Sequence, residues 1–286
     1  MIKLLPDRLK ELWSSIEGNQ GSAERFQEEQ ERLLGHYRSI WTEALVLPGH
    51  DDLQESILSE LGQYTGCTNL KEIHLRCMNA LSHVKGEWEA KVDQGSRDSV
   101  EQFYNDSQAM LYELMWWHTL SDDTSPLAYV TALEFAKQCH CHSYLDFGSG
   151  VGSGSLLFAG HGLEVTLADI STSMLDFSRW RFEQRKLQGR YLDLKQTDLP
   201  DGAYDIVTAM DVFEHLVNPT EAVNSLHRAM KPGGYLFGRF HSEVDEDRPQ
   251  HIVHDFEPTM NCLHSLGFVE IWRDEWLWGH QIFQRQ

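Results

Sequence analysis

Ser143-Tyr144-Leu145-Asp146-Phe147-Gly148-Ser149-Gly150-Val151-Gly152-Ser153-Gly154 is the stretch that decides the fold of this chain. A short apolar run that ends in glycines at 148, 150 and 152 reads as a strand entering a tight turn. Glycine adopts left-handed backbone without steric penalty and lets main-chain N–H groups come close to a ligand. Residues 153–160 then read as a helix, and Glu164-Val165-Thr166-Leu167-Ala168-Asp169 as a second apolar strand closed by an acid. Asp169 follows Gly152 by 17 residues, close to the spacing of about 20 at which a strand-end carboxylate meets a ribose diol. Strand, glycine turn, helix, strand and acid together predict a site for a nucleotide-type ligand.

Further along, short apolar strands alternate with helical segments. Strands are expected near 143–147, 164–168, 192–196, 205–210, 234–240, 268–273 and 280–285. Such alternation implies a largely parallel sheet covered on both faces. The last two strands are separated only by residues 274–279, too few for a parallel crossover, so they must pair antiparallel. Ligands of open parallel sheets bind beyond the carboxyl ends of the strands, where strand order reverses. Gly148, Gly150, Asp169, Asp198 and Asp211 all fall at or just past such ends.

Four ordered motifs carry a family resemblance: Asp146-Phe147-Gly148-Ser149-Gly150-Val151-Gly152; Thr197-Asp198-Leu199-Pro200; Tyr204 to Leu216, with Asp211, Glu214 and His215; and Met230 to Phe237. In this region, about residues 140–286, the chain resembles the class I S-adenosylmethionine (SAM) dependent methyltransferases, most closely the branch that modifies quinones and other small metabolites. A nicotinamide fold would show Gly-x-Gly-x-x-Gly instead. The resemblance implies a Rossmann-like α/β fold, a seven-stranded mostly parallel sheet with an antiparallel terminal hairpin. It implies SAM as cofactor, held by Asp146, Gly148, Gly150, Gly152, Asp169, Ile170, Asp198, Leu199 and Asp211. In the family pattern Asp169 takes the ribose hydroxyls, Asp198 lies near the adenine amino group with Leu199 against the ring, and the glycine turn admits the amino-acid portion. Glu214-His215 stands where the transferred group emerges, and His215 and Asp211 are candidate catalytic residues. An imidazole titrates near pH 6.5 and suits proton removal from an acceptor; alternatively both residues simply cap and hold the loop.

The first 140 residues resemble no named family and read as helices. Glu, Gln, Arg and Leu dominate 22–45, and Leu53, Ile57, Leu58 and Leu61 recur at helical spacing. Asp51-Asp52 and Thr68-Asn69 are expected caps, with breaks at Pro48-Gly49, Gly62 to Gly66, Gly95-Ser96 and Ser121 to Pro126. The expected organisation is an all-α N-terminal lid or substrate domain over 1–125 and a SAM-binding domain over 126–286. Residues 103–118 form the most aromatic stretch and read as one helix with Tyr104, Gln108, Leu111, Met115 and His118 on one face. Such a stripe serves as core or as a roof over the cofactor, and in the second case Tyr104 and His118 join the catalytic candidates.

Composition restricts the class. The formal charge is −20, and residues 1–140 hold 12 basic against 23 acidic side chains, a balance that repels phosphate backbones and disfavours nucleic-acid substrates. Five cysteines (67, 77, 139, 141 and 262) contain no Cys-x-x-Cys pair, which suits a reducing cytoplasm. Neither a secretory leader nor an apolar run of 18 residues is expected, so no membrane partner is predicted. Cys139-His140-Cys141-His142 mimics a metal site, but alternating ligands on an extended segment point to opposite faces. His241, His251 and His254 lie in one loop and are expected as solvated or pocket-lining residues, so no metal is assigned. The leading reading is methyl transfer to a small-molecule acceptor. Alkyl transfer or ring closure that releases methylthioadenosine, and a non-catalytic SAM-binding scaffold, are the alternatives.

Overall fold

The computed structural model describes residues 3–17, 23–120, 125–241 and 244–286. The expected break at Ser121 to Pro126 falls mainly on residues 121–124, outside the described residues, as do Met1, Ile2 and Ser22.

Helices come first: α1 (Leu5–Glu17), α2 (Ala23–Leu45), α3 (Leu53–Thr65), α4 (Leu70–Met78), α5 (Ala80–Lys91), α6 (Arg97–Asp106), α7 (Gln108–Trp116) and α8 (Ser125–Gln138). The expected caps form, since Asp52 accepts from the Glu55 N–H and Asn69 from the Glu72 N–H. Gly66, at φ 71°, terminates α3, the left-handed stop that glycine takes most easily. Gly62 sits inside α3 and does not break it.

One expectation changes here. The aromatic stretch is two helices, because Ser107 takes extended backbone, ends α6 and caps α7 by accepting from the Met110 N–H. The single stripe therefore does not exist: Gln108 is exposed, Met115 is fully buried, and His118 lies in the turn beyond α7. A serine hydroxyl that satisfies a free N–H at a helix start outcompetes continuation of the preceding helix.

The remaining elements are β1 (Ser143–Phe147), α9 (Ser153–Gly160), β2 (Glu164–Asp169), α10 (Thr172–Gln184), β3 (Arg190–Asp193), β4 (Tyr204–Ala209), α11 (Pro219–Ala229), β5 (Met230–Gly238), α12 (Glu257–Ser265), β6 (Phe268–Arg273) and β7 (Gln281–Arg285). The strands form one seven-stranded sheet in the order β3-β2-β1-β4-β5-β7-β6. The first five are mutually parallel, while β7 runs antiparallel between β5 and β6. This is the Rossmann-like class expected from the motifs. Strand order reverses beside β1, which places the ligand crevice at the carboxyl ends of β1, β2 and β4.

Apolar burial joins the helical region to the sheet. A single hydrophobic cluster contains Leu5, Trp41, Ile57 and Met115 from the N-terminal helices together with Tyr144, Leu156 and Phe177. A polar knot reinforces that junction. Glu60 of α3 and Arg181 of α10 are fully buried and meet at 2.7 Å, and Arg185 reaches the other Glu60 oxygen at 2.8 Å. Burial alone would raise the Glu60 carboxyl, but the two guanidinium groups outweigh it and hold it below the ordinary range. Arg181 also donates to the Val151 carbonyl and to Ser153 Oγ, each at 2.8 Å. The same arginine thus grips the glycine turn.

Candidate active site

Above the crevice lies a cavity with about 1250 Å³ of empty space, its open mouth included. Its floor is the glycine turn, with Gly148, Ser149, Gly150 and Val151, beside Asp169, Ile170 and Leu194. Its roof comes from Tyr104, Met110, Glu113, Leu114 and His118, and its mouth from Asp211, His215, Arg248 and His251.

The turn is built as the sequence predicts, with φ of 72°, 49° and 73° at Gly148, Gly150 and Gly152. What makes glycine necessary is mostly protein. A Cβ on Gly148 would stand 2.6 Å from Val212, one on Gly152 2.8 Å from Ser178 Oγ, and one on Gly154 2.1 Å from the Tyr129 ring. Side chains of neighbouring segments pack directly onto the turn there, and Gly152 shapes the turn without lining the cavity.

Asp169 ends β2 facing the cavity. Its carboxylate accepts from the Gly150 N–H and the Ser171 N–H, each at 2.8 Å, so its position is fixed and its remaining lone pairs suit a vicinal diol. Burial raises its pKa, and these backbone donors oppose the rise. Asp146 points elsewhere: it is fully buried and accepts from Ser155 Oγ at 2.7 Å, the Tyr129 hydroxyl at 3.1 Å and Thr208 Oγ1 at 3.2 Å. Burial raises its pKa to about 6 against those hydrogen bonds. Asp146 positions Tyr129, which does line the cavity, and is not itself in the lining.

Asp198 and Leu199 are likewise absent from the lining, and Asp198 is exposed. The cavity meets Leu194 instead. β3 ends at Asp193, in register with Asp169, three residues earlier than the sequence pattern suggests. Asp193 accepts from Thr172 Oγ1 at 2.8 Å and Gln196 Nε2 at 2.9 Å, which holds Leu194 toward the floor. The strand-end rule applied to β3 would have found Leu194; the assumed boundary concealed it.

Asp211, at φ 50°, occupies left-handed backbone uncommon outside glycine. Its carboxylate lies 3.0 Å from Arg239 Nη2 and 3.9 Å from His118 Nδ1. His118 Nε2 meets Glu113 at 3.1 Å. Burial opposes charge on this imidazole, but Glu113 and Asp211 overcome it and lift the pKa to about 9. At neutral pH His118 is a cation, which disqualifies it as a base and makes it a donor.

His215 Nδ1 lies 2.9 Å from the Tyr104 hydroxyl and 3.0 Å from the Gln250 carbonyl. A carbonyl only accepts, so Nδ1 carries a proton. Burial, together with the nearby Glu214, Glu113 and Asp169 charges, raises Tyr104 well above 10. It stays a phenol. His251 stacks edge-on to His215 with ring centroids 4.8 Å apart, while His241 and His254 are exposed. Burial, then the neighbouring His215 and Arg248, lowers His251 to about 3 and keeps it neutral. Among the described residues the group whose donor atoms converge closely enough for a metal is Glu214, His215 and His251, not the Cys139–His142 run.

Comparisons with known proteins find the same segment of the chain. Residues 145–238 match a family described as a methyltransferase domain. Over 95 residues the chain is 35% identical to a ubiquinone biosynthesis O-methyltransferase of Coxiella burnetii, which covers 32% of this chain and 41% of that protein. Over 109 residues it is 35% identical to a demethylmenaquinone methyltransferase of Thermus thermophilus, with coverage of 37% and 50%. The chain thus spans about half the length, or less, of the curated relatives it matches. A solved SAM-dependent methyltransferase from Aquifex aeolicus aligns with TM-score 0.43 at 20% identity, over 50% of this chain and 80% of that one. The matched segment is similar to a methyltransferase domain, the class that the fold and the glycine turn suggest. The helices of residues 1–138 lie outside the family match.

Proposed function

We propose that the whole chain methylates a small-molecule acceptor in the cavity between the glycine turn and α6–α7. One observation carries the reading: the cofactor floor and the Tyr104–His215 pair face each other across a single cavity. The residues suit the cofactor. Ser149 Oγ is buried at the floor with no hydrogen-bond partner among the described residues, and Asp169 is fixed by two backbone donors beside it. When bound, SAM supplies an electrophilic methyl on a sulfonium. The protein's part is to hold, orient and dry the reactants. Met110, Leu114, Met174 and Leu194 exclude water, while Asp169 and Ser149 orient the cofactor. His215 lines the cavity where the acceptor enters, and Tyr104 keeps that ring in place. His118, a cation, balances Asp211 and Glu113 at the roof.

The relatives' quinone substrates support an aromatic or quinol-like acceptor. We assign residues 1–125 the role of a lid that selects it, with Asp146 and Gly152 supporting the turn, and Asp198 and Leu199 outside the floor. The five thiols are free and favour a reducing cytoplasm. No helix among the described residues is long and apolar enough to cross a membrane. With a charge of −20, nucleic acid is a poor partner.

The test uses methyl-labelled SAM with quinols, catechols and a metabolite extract. Labelled product with S-adenosylhomocysteine is expected; methylthioadenosine as the nucleoside product would overturn methyl transfer. Asp169→Ala should weaken SAM about ten- to a hundredfold by calorimetry, since it strands the ribose hydroxyls and the Gly150 N–H.

A further inference from the structure

Cofactor binding uses the floor of the cavity and leaves a polar group at its mouth without a role. Glu214, His215 and His251 each direct a donor atom to one place, all within 4.8 Å of one another. From this convergence we propose that the three side chains bind a divalent transition-metal ion, to which an oxygen of the acceptor coordinates; the acceptor half of the statement rests on the methyl-transfer reading.

Three independent features support a built site. Glu214 is fully buried, yet its Oε2 has no hydrogen-bond partner among the described residues. A buried carboxylate oxygen left bare is rare unless something positive belongs beside it. Arg239 Nη2 lies 3.0 Å from Asp211 and reaches the other Glu214 oxygen, Oε1, at 3.4 Å.

The second feature is rigidity. The Ile252 and Val253 N–H groups donate to the Glu214 carbonyl at 2.8 and 3.0 Å, which clamps the His251 loop onto the segment that carries Glu214 and His215. The clamp keeps the two histidines beside each other.

The third is the way His215 is held. Its Nδ1–H donates to the Gln250 carbonyl at 3.0 Å, leaving Nε2 as the coordinating atom. A ring nitrogen anchored on a backbone carbonyl is how metal-binding histidines are usually oriented. Ligands about 2.0–2.2 Å from an ion at tetrahedral or octahedral angles lie about 3.0–3.6 Å apart, so closure around a metal draws the most widely separated donor atoms together by about 1 Å.

Two imidazoles and one carboxylate select Zn²⁺, Fe²⁺, Co²⁺ or Mn²⁺ over Mg²⁺ and Ca²⁺, which prefer oxygen throughout. Three protein ligands leave positions open. An acceptor hydroxyl that enters one loses its proton to solvent and remains as a metal-held oxyanion, poised toward the cofactor floor. Acceptors with adjacent oxygens would chelate and bind best.

The test is titration of the chelator-stripped full chain with Co²⁺, followed by its visible ligand-field absorption. One equivalent should bind, be displaced by Zn²⁺, and weaken at least about tenfold in His251→Ala and in Glu214→Gln. His251→Ala, on the half-exposed loop, keeps the experiment decisive where the buried Glu214 substitution perturbs folding. SAM affinity, measured by calorimetry on the same samples without metal, should not change. No absorption band, a band unaffected by His251→Ala, or a band lost only in Cys139→Ser would overturn the metal site while leaving the SAM reading intact. Absent SAM binding beside a normal Co²⁺ band would overturn the methyl-transfer reading alone.

Discussion

At the scale of single residues, His118 shows how an environment assigns chemistry. The sequence marks it as an imidazole near a ligand; only the placement of Glu113 and Asp211 turns it into a cation with a pKa of about 9. Because the folded-state value lies above the ordinary 6.5, the proton binds the native state more tightly than the unfolded one. The resulting stability is fully present below pH 6.5 and disappears as pH rises through about 9. Wild type should therefore lose roughly 1–3 kcal/mol between pH 6 and 10 relative to His118→Gln, as urea unfolding at several pH values would show. Parallel curves for the two proteins would mean that His118 is not charged. Gly152 makes a similar point. Its type is legible in the sequence, but its reason is Ser178 at 2.8 Å from the missing Cβ, a contact between segments 26 residues apart.

Among elements, the break at Ser107 matters most. A single helix over 103–118 would place Tyr104 and Met115 on one face with one shared role. With the chain redirected at Ser107, α6 brings Tyr104 to His215, whereas Met115 enters the core and His118 reaches Asp211 from beyond α7. The two residues should respond differently. Tyr104→Phe removes one hydrogen bond to His215 and keeps the ring, so turnover should fall about tenfold with little change in melting temperature. Met115→Ala opens a cavity in the core and should cost about 2–5 kcal/mol of stability, with turnover per folded molecule nearly unchanged. A drop in melting temperature for Tyr104→Phe matching its loss of rate would return Tyr104 to the core. β3 shows the opposite kind of misreading: Leu194 continues the apolar alternation past Asp193, but pairing with β2 stops there. Where a strand ends depends on its neighbour's length as much as on its own composition.

For the molecule as a whole, the knot of Glu60, Arg181 and Arg185 couples the helical region to the cofactor floor. Glu60→Ala would leave two arginines buried without their counter-ion, at a cost of about 3–5 kcal/mol, or roughly 10 °C in melting temperature. It should also weaken SAM binding, because Arg181 holds the Val151 carbonyl and Ser153. Unchanged calorimetric affinity in Glu60→Ala would show that the glycine turn stands without the helices. The sheet, its strand alternation, the terminal hairpin, the glycine turn and Asp169 were all legible in the chain, since each rests on local periodicity or on short spacing along the sequence. Tyr104, Met110, Glu113 and Leu114 lie far in sequence from the motifs, and their place over the floor follows from how α6 and α7 pack. Leu194 depended on where β3 loses its partner. The convergence of Glu214 and His215 with His251 came from folding alone: the 35 residues between His215 and His251 carry no periodicity to announce it, and two backbone hydrogen bonds from the 252–253 loop, together with the Gln250 carbonyl, bring them together.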